Sequence, residues 1–327
     1  MKLVSFQIDK EDRLGALINQ DIFDLNKCYS LYLMGVNRED PDLKEKVISE
    51  MPACMMDFLQ MGHQAIQRAK KILERIANFP KSDLPDGAVY TLDRVTLKAP
   101  VPRPGKLLCL AGNYAEHIRE GSKNVVIEKE KMAPKIFMKP STAVMGYGQP
   151  IVIPKIGNKI DWEAELAVVI GKKGKYISKE NAYEYVAGYT VINDVSEREL
   201  IVEADREPSE WNSFFDWLNG KWMDSFAPMG PSLVTKDEIK DPHNLGIRLS
   251  VNGKIRQNSN TGNMIFNIPE LIEFASRLMT LEPGDIIATG TPEGTGAASG
   301  TFLKKGDVVE VEIDNIGILQ NPVDAEI

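Results

Sequence analysis

Apolar residues in the first 26 positions fall into short runs, Leu3 to Ile8, Leu14 to Ile18 and Ile22 to Leu25, separated by Asp-Lys-Glu-Asp and Asn-Gln-Asp. Short runs between turn-forming residues predict a small antiparallel meander. From Asp40 to about Ala77 the apolar spacing becomes helical, with Met55, Phe58, Leu59, Ile66, Ala69 and Ile72 or Ile76 facing inward and Pro52 placed to separate two helices. Pro80, Pro85, Pro100, Pro102 and Pro104 then mark an extended connector, with an isolated strand over Arg94 to Lys98. A boundary near residue 100 divides a small α+β N-terminal domain and connector, 1–100, from a larger domain, 101–327.

Past that boundary the pattern is strand-rich. Lys106 to Ala111, Ile151 to Ile153, Glu165 to Ile170, Gly188 to Ile192, Leu245 to Val251, Asp285 to Thr289 and Val308 to Ile313 read as strands. Helices are expected around Tyr114 to Gly121, Ser178 to Tyr185 and Ile268 to Leu278. The predicted class is α+β, mainly β.

Composition narrows the function classes. The chain has 327 residues, 43% hydrophobic and 26% charged, enough to build a sizeable core. Lys and Arg number 39 against 47 Asp and Glu, a formal charge of -8 that offers no general attraction to nucleic acid or anionic membranes. Charges interrupt the first residues where a signal peptide needs an apolar core, and no apolar run reaches the roughly 18 residues of a membrane span. A cytoplasmic protein is expected. Cys28, Cys54 and Cys109 are odd in number and outside any Cys-x-x-Cys spacing, so ligands for a metal would be oxygens.

One stretch supplies such oxygens. In Asp161 to Gly171, strand alternation puts Trp162, Ala164, Leu166, Val168 and Ile170 on one face and Glu163, Glu165, Ala167 and Val169 on the other. Two carboxylates on one face of a doubly buried strand repel each other and lose hydration unless a cation neutralises them. Asp194, at the mouth of the strand Gly188 to Ile192, is the third acid. Three carboxylates without Cys or His favour Mg2+, Mn2+ or Ca2+. The alternative is a solvent-facing Glu-x-Glu edge strand with Asp194 as a helix cap. Of the three histidines, His63 and His243 read as exposed. His117 lies three residues before Glu120, a spacing that suits either a surface ion pair or a base held by its partner.

Seven motifs in order extend the picture: Gly112-Asn113-Tyr114-Ala115-Glu116-His117; Phe137-Met138-Lys139-Pro140; Asp161 to Gly171; Gly188 to Arg198; Lys221 followed by Pro228-Met229-Gly230-Pro231; Val251-Asn252-Gly253; and Pro283-Gly284-Asp285 leading to Thr289-Gly290-Thr291-Pro292. From about Val101 to the C-terminus the chain resembles the fumarylacetoacetate hydrolase family. The resemblance implies a catalytic domain of mixed, rolled-up sheets around a metal centre, usually in a homodimer, with a small α+β domain before it.

It implies chemistry as well: hydrolysis of carbon-carbon bonds in 1,3-dicarbonyls, or decarboxylation, isomerisation or dehydration of 2-oxo acids, through an enolate stabilised by a metal. The expected activity is metal-dependent carbon-carbon bond hydrolysis or decarboxylation of a small 2-oxo acid or 1,3-dicarbonyl. The alternatives are a 2-hydroxyhepta-2,4-diene-1,7-dioate isomerase or decarboxylase, a 2-keto-3-deoxy sugar acid dehydratase, and a non-catalytic, metal-stabilised binding protein. The metal ligands it implies are Glu163, Glu165 and Asp194. A fourth carboxylate found in some members is missing, which favours Mg2+ or Mn2+ over Ca2+.

By the same resemblance His117 is the base and Glu120 its orienter, on a short lid segment, with Lys221 counted among the catalytic groups. Arg198, Thr291 and Tyr114 are the implied substrate contacts. Ile201 replaces a Gln often found there, and Glu203 to Phe215 departs from the family pattern, so neither names a substrate.

Overall fold

The computed structural model describes residues 1–36, 40–76, 79–81, 84–121, 125–203 and 205–327. The meander forms as expected: Lys2–Ile8, Glu11–Ile18 and Asp21–Asp24 pair antiparallel in sequence order. Its first turn uses left-handed backbone at Asp9 (φ 50°) and Lys10 (φ 68°), a conformation that polar turn residues tolerate. The free edge of Lys2–Ile8 is not left open. It pairs with Ala227–Thr235 at Lys2 and Leu3 and with Thr96–Leu97 at Phe6 and Gln7, so the strand expected to be isolated near Arg94 to Lys98 is a partner of the meander.

That pairing makes one large sheet. Its path runs Val89–Thr91, Asp21–Asp24, Glu11–Ile18, Lys2–Ile8, Ala227–Thr235, Val186–Asn193, Ala164–Ile170, Ile286–Ala288, Leu107–Ala111 and Lys135–Lys139. The strand order thus crosses residue 100, with strands from both sides of that position in one sheet. A second sheet orders Lys254–Asn260, Gly246–Val251, Val308–Ile313, Gly317–Ala325 and Ile151–Ile153.

The central strand Ala164–Ile170 is buried throughout. Leu166, Val168 and Ile170 enter a core shared with the second sheet and the helix Ile268–Leu278. Ala167 and Val169 enter a second core covered by the N-terminal helices. The alternation read from the sequence therefore holds, because a strand between two apolar layers must be apolar on both faces.

Several helical expectations change. Leu25–Val36 is a helix, although Leu25 reads as the end of the meander; Leu25, Cys28 and Tyr29 bury one side at helical spacing. Where two helices are expected after Asp40, three form: Leu43–Glu50, Met55–Gln60 and His63–Ile76. Pro52 lies in the first break and Gly62, at φ +67°, makes the second. All the predicted inward positions are buried, Ile72 and Ile76 both included. Ala77, the predicted end, lies outside the described residues.

Ser178 to Tyr185 forms a 3-10 helix over Lys179–Tyr185, and a helix over Glu210–Asn219 is new. Among the described residues no helix is long and apolar enough to cross a membrane.

Candidate active site

Antiparallel pairing of Ala164–Ile170 with Val186–Asn193 sets Ala164 opposite Asn193, so the start of one strand meets the end of the other. Asp194 N–H donates to the Glu163 carbonyl at 2.9 Å and Glu163 N–H to Asn193 Oδ1 at 2.9 Å, fixing the backbone on both sides of the junction. Glu163, Glu165 and Asp194 are all buried there, and each offers a carboxylate oxygen within 4.8 Å of the others.

Three buried or half-buried cations answer these acids unequally. Lys221 Nζ donates to Glu163 Oε2 at 2.7 Å and Asp194 Oδ2 at 2.8 Å. Lys139 Nζ donates to Asp194 Oδ1 at 2.5 Å and to the carbonyls of Val195 and Phe226. The Arg198 guanidinium bridges Glu163 Oε1 at 2.5 Å and Asp161 Oδ2 at 2.7 Å.

Glu165 alone of the three acids forms no ion pair among the described residues. Its Oε2 accepts the Gly290 N–H at 2.8 Å, and its Oε1 is buried with no partner. Burial raises the Glu165 carboxyl well above the usual carboxylate range, and repulsion from Asp194 and Glu163 pushes the same way. Burial also opposes ionisation of Glu163, but Lys221 and Arg198 outweigh it and hold that carboxyl well below the usual range. For Lys221, burial acts to discharge the amine, while Asp194 and Glu163 outweigh it and keep it charged. An unpaired buried carboxylate costs several kcal/mol. An orphaned oxygen in a cluster of three acids is the signature of a place for a hard cation, so the residues present fit a divalent metal.

Beside this cluster lies a chamber of about 100 Å³, bordered by His117, Glu163, Arg198, Lys221 and Thr291. An outer cavity of about 350 Å³ shares His117 and Arg198 and adds Glu120. His117 and Glu120 sit on the short helix Ala115–Gly121, with Nδ1 3.2 Å from Glu120 Oε2. Burial opposes the charge on Glu120, but hydrogen bonds from His117 and the Gly294 N–H lower its pKa. An ionised carboxylate only accepts, so Nδ1 carries the proton in this contact and Nε2 is the free nitrogen. Larger hollows exist elsewhere, one of about 660 Å³ lined by Asp9, Asp21, Asp86 and Lys81, but among the described residues only Glu163, Glu165 and Asp194 gather close enough to hold a metal ion.

The family model described as the fumarylacetoacetate (FAA) hydrolase C-terminal domain matches residues 106–324. The chain belongs to the fumarylacetoacetate hydrolase family. It is an enzyme of that family. It is 42% identical over 325 residues, 99% of this chain and 90% of the other, to the Xenopus laevis protein named oxaloacetate tautomerase fahd2, mitochondrial. Among solved structures it resembles maleylpyruvate hydrolase from Sphingobium sp. SYK-6 in complex with manganese(II) and pyruvate (TM-score 0.70, 29% identity, all of both chains). It also resembles the 2-hydroxyhepta-2,4-diene-1,7-dioate isomerase of Mycobacterium marinum (TM-score 0.69, 27% identity, 100% of this chain and 99% of that one).

Within this fumarylacetoacetate hydrolase fold, the structure brings together nearly all the residues singled out in the sequence. Thr291 is buried and borders the inner chamber; its hydroxyl oxygen accepts from Gln257 Nε2 at 2.8 Å, which leaves its proton free to donate. Tyr114 borders neither cavity, and its hydroxyl is buried without a partner. Ile201 is 62% exposed, away from both cavities. His63 is exposed as expected, but His243 is not a free surface ring: its Nε2 accepts the Ile268 N–H at 3.1 Å.

Sequence reasoning missed four participants. Asp161 holds Arg198 and accepts the N–H groups of Gly296 and Ala297. Lys139 lies in Phe137-Met138-Lys139-Pro140, but nothing local marks a strand-end lysine as buried against Asp194. Phe137 and Trp217 also line the chamber, and Trp217 sits on the unpredicted helix.

Proposed function

We propose that this chain is a divalent-metal-dependent enzyme that interconverts the keto and enol forms of a small 2-oxo diacid, with oxaloacetate as the first candidate. The observation that carries this reading is that His117, held by Glu120, borders the same small chamber as Lys221, Arg198 and Glu163, one of the three clustered acids. A base and an anion-binding wall face one space, as proton transfer beside a 2-oxo carboxylate requires. The similarity along nearly the whole chain to a protein named an oxaloacetate tautomerase supports the same substrate.

In this reading Glu163, Glu165 and Asp194 hold Mg2+ or Mn2+. The bound ion acts as a Lewis acid that makes the hydrogens beside the 2-oxo group more acidic. Lys221 and Arg198 draw in the carboxylates. The Thr291 hydroxyl donates to a carboxylate oxygen. His117 Nε2 takes the proton from the carbon beside the carbonyl and returns one to the oxygen, while Glu120 steadies the imidazolium through Nδ1. No water is consumed.

A second reading, hydrolysis of a carbon-carbon bond in an acylpyruvate, is favoured by one feature: His117 also borders the outer cavity, where a water could be activated. One assay separates the two. Enol absorbance of oxaloacetate is followed with Mg2+ or Mn2+ and after chelation, with product masses recorded. Faster equilibration without new products supports tautomerisation. Cleavage of acetylpyruvate with no effect on the keto–enol rate would overturn it in favour of hydrolysis.

A further inference from the structure

The inner chamber also has an apolar wall to which the proposed chemistry gives no task. The rings of Phe137 and Trp217 meet edge-on there, with centroids 5.1 Å apart and planes at 70°, and Lys221 Nζ lies 5.3 Å from the Phe137 centroid. The two aromatic rings thus adjoin the cation that would receive a substrate carboxylate.

Trp217 arrives on the helix Glu210–Asn219, which has no buried residue. Its ring is backed from outside by Phe214, at 5.9 Å, and Phe214 in turn packs against Trp211 and Phe215. The backbone behind it is tied down. Gly220 N–H bonds the Asp216 carbonyl, Glu197 N–H bonds the Gly220 carbonyl, and the next residue is the buried Lys221. An exposed aromatic stack would be a poor choice for stability alone, since the rings remain largely in water. It does hold one indole at the chamber wall.

Size makes this consequential. A water's share of liquid volume is about 30 Å³, so a chamber of about 100 Å³ holds only about three waters, and an indole at its wall takes space that a longer substrate would need.

We infer that Trp217, set against Phe137, is a specificity-determining residue: it takes up space at the chamber wall that a longer 2-oxo acid would need, and so selects for short diacids. This rests on the 2-oxo acid reading above, but it has a readout that does not depend on turnover. A pocket wall that excludes one methylene changes selectivity about 10- to 200-fold.

The test compares wild type with Trp217→Ala, Trp217→Phe and Phe215→Ala, all loaded with Mn2+. Calorimetry gives the Kd of oxalate and of a six-carbon 2-oxo diacid, and kinetics give kcat and KM for oxaloacetate and a longer acylpyruvate. Trp217→Ala should improve the affinity ratio for the longer ligand at least ten-fold, with the kinetic gain in KM, and Trp217→Phe should fall between. Should Trp217→Ala fail to fold, Trp217→Leu carries the same comparison. Phe215→Ala should leave the ratio unchanged. A ratio within two-fold of wild type in the Trp217 variants overturns the inference, as does an equal shift in Phe215→Ala, which would mean general loosening of the helix. A shifted ratio with no turnover of oxaloacetate would leave the inference standing and remove the tautomerase reading; turnover with an unmoved ratio would do the reverse.

Discussion

Glu165 and His117 divide the site's chemistry at the scale of single residues. Glu165 is the acid left without a cation, so a metal should matter most to it. Replacing Glu165 by Gln is expected to cost the metal-free protein little stability, because burial already disfavours the charge. It should remove the stabilisation of about 2.7 kcal/mol that a divalent ion gives at a hundred times its Kd. Thermal unfolding with and without Mn2+ checks this, and a persisting Mn2+ shift in Glu165→Gln would argue against the cluster as the metal site. His117→Ala should behave in the opposite way, lowering kcat by about 10²- to 10⁴-fold while the Mn2+ shift remains. Unchanged turnover would exclude His117 as the base.

Elements owe their ends to residues far away in sequence. The helix Ile268–Leu278 begins with a capping box, Asn267 accepting from Glu270 N–H and Glu270 accepting from Asn267 N–H, and His243 takes the Ile268 N–H as well. Burial lowers the His243 pKa below its ordinary 6.5, although Asp241 and Glu270 pull it upward. Above pH 6.5 the ring is neutral in folded and unfolded chains alike. As pH falls below 6.5 the unfolded chain takes up a proton that the folded ring resists, so stability is lost down to the folded pKa, by at most about 1.4 kcal/mol per pH unit. Chemical denaturation between pH 7 and 5 should show that loss, and His243→Gln, whose amide oxygen can accept the same N–H, should reduce it. An identical pH slope in the variant would rule His243 out as the source.

At the scale of the whole molecule, the sheet that crosses residue 100 couples the N-terminal strands and helices to the site. Val169, Ile192 and Leu233 share one core with Phe58, Ile66 and Ile72 from the N-terminal helices. At about 1.5–3 kcal/mol per large side chain, exposing those three would cost on the order of 5 kcal/mol, comparable to the whole stability of many domains. We propose that residues 1–100 are a structural domain required by the catalytic one. A 101–327 fragment should unfold at lower denaturant or aggregate, as sedimentation and urea titration would reveal; a fragment as stable as the full chain would contradict this.

The sequence alone determined what depends on local pattern. It placed the meander, the inward faces of the N-terminal helices, the strand Ala164–Ile170 with its two faces, and the motifs whose order marks the family. Alternation and helical spacing follow from backbone geometry, which every residue carries with it. The strand Ala227–Thr235, with Pro228 and Pro231 in it, escaped that reading because neighbours rather than propensity hold it, and the helix Glu210–Asn219, which buries no residue, escaped it as well.

The partners of the acids escaped it too. Lys139 stands 55 positions from Asp194, and Asp161 lies 37 from Arg198. Only the folded chain decided that Glu163 and Asp194 are paired while Glu165 is not, since the cost of a buried charge is set by what lies within a few ångströms of it, and strand pairing chooses those neighbours.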